Sequence, residues 1–197
     1  MADGDPMRHI DFRAMNCDMS VVMDTDSTAF DALLQQVPVW FEGWEQTFSR
    51  FRNDSELSQL NASGGRWFIA SEDLWTVVHQ SVQVARAHNG LVTPTILDAL
   101  MNVGYDQSFE QMNQRAKPAR AVSSVSGISA LDAWAGIEFD AQARAVFLPS
   151  GIHLDLGGFV KGWCADEVVQ RLAQFAPVLM DAGGDIAISG AMADGGA

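Results

Sequence analysis

Apolar and polar residues alternate along the first stretch, "IDFRAMNCDMSVVMDT", with Ile10, Phe12 and Ala14 and then Met19, Val21 and Met23 on one side. This period of two predicts a strand or half of a hairpin, with an irregularity near Asn16. From Ser27 the period becomes helical. Phe30, Leu33, Leu34, Val37, Trp40, Phe41, Trp44 and Phe48 form one broad stripe, with a kink or break expected at Pro38. The stripe makes Trp40, Phe41 and Trp44 core residues.

"SRFRNDSELSQLNASGG" reads as a structured loop containing a short helical turn. Ser71 is placed as the N-cap of a helix running to about His88, with Glu72 and Asp73 in its first turn and Asn89-Gly90 ending it. Residues 95–102 allow a further short helix, and the polar stretch 111–130 reads as the least ordered. "WAGIEFDAQARAVFLPSG" predicts two strands around a turn at Asp140–Gln142, and "IHLDL" a strand end. Helical periodicity returns from Phe159 or Val160 to Phe175. "PVLMDAGGDIAISG" then predicts strand, glycine turn and strand. Hairpins mixed with helices, without an internal repeat, point to an α+β fold with a mixed, largely antiparallel sheet and packed helices.

The chain has 197 residues, 48% hydrophobic and 19% charged, which describes an ordinary globular protein. Its net charge of −13 repels nucleic-acid backbones and anionic lipid, so nucleic-acid binding is excluded as an expectation. The same charge repels a phosphorylated ligand. A phosphate site must therefore be local, built from backbone N–H groups and one cation and helped by a divalent metal. No stretch approaches the roughly 18 uninterrupted apolar residues of a membrane span. The chain is expected to be cytoplasmic, or periplasmic or membrane-anchored if a leader precedes it. Cys17 and Cys164 read as small apolar residues, and His9, His79, His88 and His153 share no metal-ligand spacing.

Three stretches carry candidate chemistry. In "LDLGGFVKGWCAD", bounded by Asp155 and Asp166, Gly157 and Gly158 let the backbone approach a ligand, and Lys161 supplies a point charge where a helix begins. Taken alone, the stretch reads first as a tight turn with a solvated lysine. In "DAGGDI", Asp181 and Asp185 flank Gly183-Gly184, and their carboxylates suit a hard metal; a hairpin with solvent-facing acids stays open as well. In "SRFRNDSELSQLN", Arg50, Arg52, Ser55, Glu56, Ser58 and Asn61 could read the edge of a ring system, or serve as a helix cap and local ion pairs.

Together these stretches resemble the ApbE family of flavin transferases, from about residue 10 to the last residues. "FRAMNCDM" is similar to the family's "AMGT" segment, "FSRFRNDSELSQLN" to its serine, glutamate, leucine and asparagine motif, and "NGLVTPTILDAL" to its "G-F-D-P-T" region. "LDLGGFVKGWCAD" and "DAGGDI" match its two central signatures. Two departures stand out: Asn16-Cys17 replaces the glycine and threonine after Met15, and Thr93 stands where an aspartate is common before Pro94-Thr95.

The resemblance implies a tail over residues 1–9 and an ApbE-like domain over 10–197. It implies FAD as substrate, magnesium, and transfer of FMN to a threonine hydroxyl of a target flavoprotein with release of AMP. Met15, Ser55, Glu56, Asn61 and Thr95, with Thr93 beside it, would line the pocket. Asp155, Gly157, Gly158, Lys161, Asp166, Gly183, Gly184 and Asp185 would hold the nucleotide, with the Gly158 carbonyl as a metal ligand. No catalytic residue is assigned. The family continues past the "GGDI" turn into a histidine and proline motif and a later aspartate and threonine. An incomplete metal site is therefore expected, and a non-catalytic FAD-binding or flavin-storage module, or a ligand-free structural domain, are the alternatives.

Overall fold

A computed structural model of the chain describes residues 7–105 and 132–191. The stretch 111–130 lies outside the described residues. The described chain divides into two compact units, one from the N-terminal part to Glu45 and from Val160 onward, the other Gln46–Phe159.

The first unit is built on a four-stranded antiparallel sheet in the order β1-β2-β6-β7, from β1 (Arg8–Ala14), β2 (Cys17–Met23), β6 (Val178–Ala182) and β7 (Asp185–Ile188). Both hairpins close through two-residue turns, between the pairs Ala14↔Cys17 and Ala182↔Asp185. The irregularity expected near Asn16 is the first of these turns. Met15 (φ 46°) and Asn16 (φ 63°) are left-handed, as are Gly183 (67°) and Gly184 (98°), the geometry that matches strand twist in tight hairpins.

One face of the sheet is apolar, with Met19, Val21, Met23, Val178, Met180 and Ala182 buried. The long helix of this unit, Val160–Leu172, packs on β6 and β7 and buries Val160, Cys164, Ala165, Val168, Val169 and Leu172. That spacing is one face of a 3.6-residue period. The helix stops three residues short of the expected Phe175: Ala173 N still makes the helical bond to the Val169 carbonyl, and Phe175 N closes a tight turn onto the Leu172 carbonyl.

The stripe from Ser27 forms a 3-10 turn (Thr28–Phe30), helix α1 (Asp31–Leu34) and helix α2 (Val37–Phe48). The break falls at Gln35-Gln36 rather than at Pro38, which sits in the first turn of α2, where an absent N–H leaves no hydrogen bond unmade. Phe41 is fully buried, edge-on to Phe12 of β1 (5.2 Å) and to Trp44 (5.1 Å).

The second unit holds α3 (Glu56–Ala62), α4 (Glu72–Ala87), α5 (Leu97–Asn102) and a three-stranded antiparallel sheet in the order β3-β5-β4, from β3 (Trp67–Ile69), β4 (Glu138–Asp140) and β5 (Ala145–Phe147). The Val160–Leu172 helix is named α6. Ser71 caps α4 as expected, accepting from Leu74 N at 3.2 Å, and Gly90 closes it onto the Ala85 carbonyl. Leu74, Val77, Val78, Val82 and Ala85 of α4 are buried, with Leu57, Leu60, Val146, Leu148, Leu154 and Leu156. "IHLDL" is not a strand end: residues 152–156 join no ladder, and their backbone is held by the Asn61 side chain and by the carbonyls of Pro94 and Pro149. Among the described residues no helix is long and apolar enough to cross a membrane.

Because Phe41 is fully buried between two aromatic rings, Phe41→Ala is expected to cost about 3–5 kcal/mol. Val39→Ala, at a site 60% exposed, should stay within about 0.5 kcal/mol. The midpoints of urea unfolding measure both.

Candidate functional site

In the first unit, sheet register decides which candidate residues meet. Asp185 pairs with Ala182, which is buried with Met19 on the core side, so Asp185 lies on the α6 side of the sheet. Lys161, in the first turn of α6, places Nζ 3.6 Å from Asp185 Oδ2. Its ammonium is also 4.0 Å from Cys17 Sγ, just after the first hairpin turn. The second turn lies against the same residue, since a Cβ built on Gly183 would stand 2.6 Å from Cys17 Cβ. Two left-handed turns and one cation at a helix start are thus gathered at one end of the sheet.

Asp181 does not join them. Successive strand residues face opposite sides, and Asp181 falls in the row of Ser20, Asp11 and Ile186. There its Oδ1 accepts from Gly184 N at 2.7 Å, and it lines an acidic cleft of about 520 Å³ with Asp11, Asp18, Phe12, Met19 and Ser20. The sequence reading of Asp181 and Asp185 as paired carboxylates is therefore corrected by the pleat. Asp166 is exposed on α6, five residues from Lys161 and so about 140° around the helix. Met15, in the first turn, donates its backbone N–H to Glu45 Oε1.

In the second unit the motif side chains mostly hold backbone. Ser55 is fully buried and caps α3, donating to Ser49 O (2.6 Å) and accepting from Ser58 N (3.0 Å). Glu56 takes both Ser71 N (2.5 Å) and Ser71 Oγ (2.6 Å), tying α3 to the start of α4. Asn61 clasps Leu154 from both sides, donating to its carbonyl (3.0 Å) and accepting from its N–H (2.8 Å). Thr95 is buried, its Oγ1 2.9 Å from that of Thr93. Of the two arginines, Arg52 reaches Gln46 Oε1 at 3.4 Å.

Arg50 and Asp155 form a buried ion pair, Nε to Oδ2 2.5 Å, with side chains 7% and 11% exposed. The guanidinium lies over the rings of Phe51 (4.2 Å) and Tyr105 (4.6 Å) and donates to the Tyr105 carbonyl. Asp155 N donates to Pro94 O (2.9 Å), and Asp155 Oδ1 accepts from Gly157 N (2.8 Å). Residues 154–157 are thus fixed by Asn61, Arg50 and Pro94, which presents Gly157 and Gly158 exposed. Gly158 has no left-handed φ, and a Cβ there would meet nothing within 4 Å. Neither conformation nor protein packing requires glycine at 158.

Sequence reasoning did not find the Arg50–Asp155 lock, the Glu45–Met15 bond or the pairing of His153 Nδ1 with Asp98 Oδ1 (2.9 Å). Each joins residues 30 or more positions apart, a separation that leaves no periodic signal.

The sequence profile of the ApbE family matches residues 15–197. The chain belongs to the ApbE family. It is 26% identical over 175 residues to the FAD:protein FMN transferase of Treponema pallidum (strain Nichols), covering 86% of this chain and 48% of that protein. The ApbE protein of Thermotoga maritima superposes with a TM-score of 0.79 at 20% identity, over 92% of this chain and 58% of its own. The apo form of the Pseudomonas stutzeri flavinyl transferase ApbE gives 0.79 at 20%, over 96% and 60%. At that identity the likeness is one of fold, and it agrees with the α+β architecture. The ApbE chain spans about half the length of the curated relative and about three fifths of the solved ones.

Removing Arg50 leaves a carboxylate buried without its counter-ion. Arg50→Ala is expected to lower the stability of the second unit by about 3–5 kcal/mol, and the double variant Arg50→Ala, Asp155→Asn should recover part of that loss in urea unfolding.

Proposed function

We propose that the chain binds FAD and acts as an FAD:protein FMN transferase, passing FMN to a threonine hydroxyl of a target flavoprotein with AMP as leaving group. In that reaction the threonine Oγ–phosphorus bond forms, the phosphorus–oxygen bond to AMP breaks, and the hydroxyl proton is lost. Family membership over residues 15–197 and the activity named for the Treponema relative support the reading. The observation that carries it is the gathering of Lys161, Asp185 and two left-handed turns at one end of the sheet. A lysine at a helix start attracts an anion without help from the overall charge.

Of the residues proposed for FAD, Met15, Lys161, Asp166, Gly183, Gly184 and Asp185 belong to the first unit. Ser55, Glu56, Asn61, Thr95, Asp155, Gly157 and Gly158 belong to the second. The hydrogen bonds of Ser55, Glu56 and Asn61 give those three a shaping role, so ligand contacts are assigned to glycine backbone and Lys161.

Magnesium is proposed on the charge argument, with the Gly158 carbonyl as a ligand. Among the described residues no group of three His, Cys, Asp or Glu side chains is placed to hold a metal ion, and Asp181 and Asp185 lie on opposite faces of their sheet. The described side chains do not by themselves fit a magnesium site, and no step is assigned to the metal.

Titration by flavin fluorescence should show FAD binding in millimolar magnesium, weakened about tenfold or more by chelator; equal affinity in both removes the metal and leaves the flavin. Gly158→Ala should weaken FAD by a similar factor with the unfolding midpoint unchanged, because a Cβ there meets no protein atom within 4 Å. After incubation with FAD, magnesium and a threonine-containing acceptor peptide, the peptide should gain the mass of one FMN. FAD binding without that gain would favour the storage module.

A further inference from the structure

The Met15–Asn16 turn has the wrong sequence for its shape. A two-residue loop with both φ angles positive favours Asn-Gly or Asp-Gly, yet Met15 carries a long L side chain at φ 46° and Asn16 stands at 63°. The ladder closes at the pair Ala14↔Cys17, so the Met15 N–H falls outside it. Glu45 Oε1 accepts that N–H. The bond is placed where the backbone is strained.

Glu45 is set up for this contact by packing. It lies one helical turn after Phe41, on the same face of α2, and the Phe41 ring sits edge-on to Phe12 of β1 at 5.2 Å. The helix is thus braced against the strand and reaches the turn at the strand's end. Cys17, directly after the turn, touches both other parts of the site, being the residue against which Gly183 fits and lying 4.0 Å from Lys161 Nζ. A shift of the turn therefore changes the spacing among all three.

We infer that Glu45 is a positioning residue of the nucleotide site, acting as hydrogen-bond acceptor for the Met15 amide rather than as a charge. The inference rests on the FAD reading above. In a chain of net charge −13, another carboxylate near a diphosphate opposes binding. The acceptor is useful and the charge is not, so glutamine should serve as well as glutamate.

The test compares wild type, Glu45→Ala and Glu45→Gln by FAD titration and by amide hydrogen exchange resolved at Met15, with Met180 in β6 as the internal reference. Glu45→Ala is expected to weaken FAD tenfold or more and to speed exchange at Met15 but not at Met180. Glu45→Gln should keep Met15 protected and bind FAD as tightly as wild type or tighter. Unchanged affinity and protection in Glu45→Ala overturns the inference, and so does a Glu45→Gln variant as weak as Glu45→Ala. Should Glu45→Ala fail to fold, a tenfold loss of FAD affinity in folded Glu45→Gln overturns it and wild-type affinity supports it. If wild type binds no FAD, the functional reading fails by itself, and Met15 exchange alone decides whether Glu45 holds the turn.

Discussion

The pairing of Ala182 with Asp185 across a two-residue glycine turn is the constraint on which the first unit's site depends. Shifting the register by one residue would exchange the two faces of β7. Ile186 would turn toward α6, and Asp185 would move away from Lys161. The same turn brings Gly183 so close to Cys17 that no side chain fits between them. One backbone conformation, open at low cost only to glycine, thereby sets a carboxylate, a cation and a neighbouring hairpin in their places.

A second principle governs the other unit: polar residues of the motif are spent on the chain itself. The Ser55 hydroxyl, the Glu56 carboxylate, the Asn61 amide and the Asp155 carboxylate each hold a backbone N–H. Residues 152–156 take part in no ladder, and a buried peptide group without a partner is costly. The Asn61 side chain does for Leu154, and the Pro94 carbonyl for the Asp155 N–H, what a neighbouring strand does elsewhere. What is left for an outside molecule is mainly main-chain surface at glycines, which agrees with a chain too acidic to attract an anion by its overall charge.

The fold was largely legible because hydrophobic period reports directly on elements that bury one face. The stripe at Phe41 and Trp44, the Ser71 cap and the two strands around Gly183-Gly184 all follow that logic. "IHLDL" misled because its alternation is that of a strand, whereas its backbone bonds go to the Asn61 side chain and to the carbonyls of Pro94 and Pro149, which form no ladder. Pro38 misled by position, since a proline in a first turn and one in a helix interior look alike until the helix start is known. At the site, glycine pairs and the lysine were visible as types. The separation of Asp181 from Asp185 was not, because it depends on where a turn closes, and the Arg50–Asp155 pair was not, because it spans 105 positions.

The discontinuous first unit has a consequence for how the protein is made. Met19 pairs with Ala182, 163 residues later in the chain (182 − 19). During synthesis at about 5–20 residues per second, β2 therefore waits roughly ten to thirty seconds for its inner neighbour. The segment 46–159 emerges whole in that interval, while the N-terminal hairpin stays a two-stranded ribbon, marginal by itself in water. Its apolar face, with Met19, Val21 and Met23, is open to the cell's chaperones until β6 and β7 leave the ribosome.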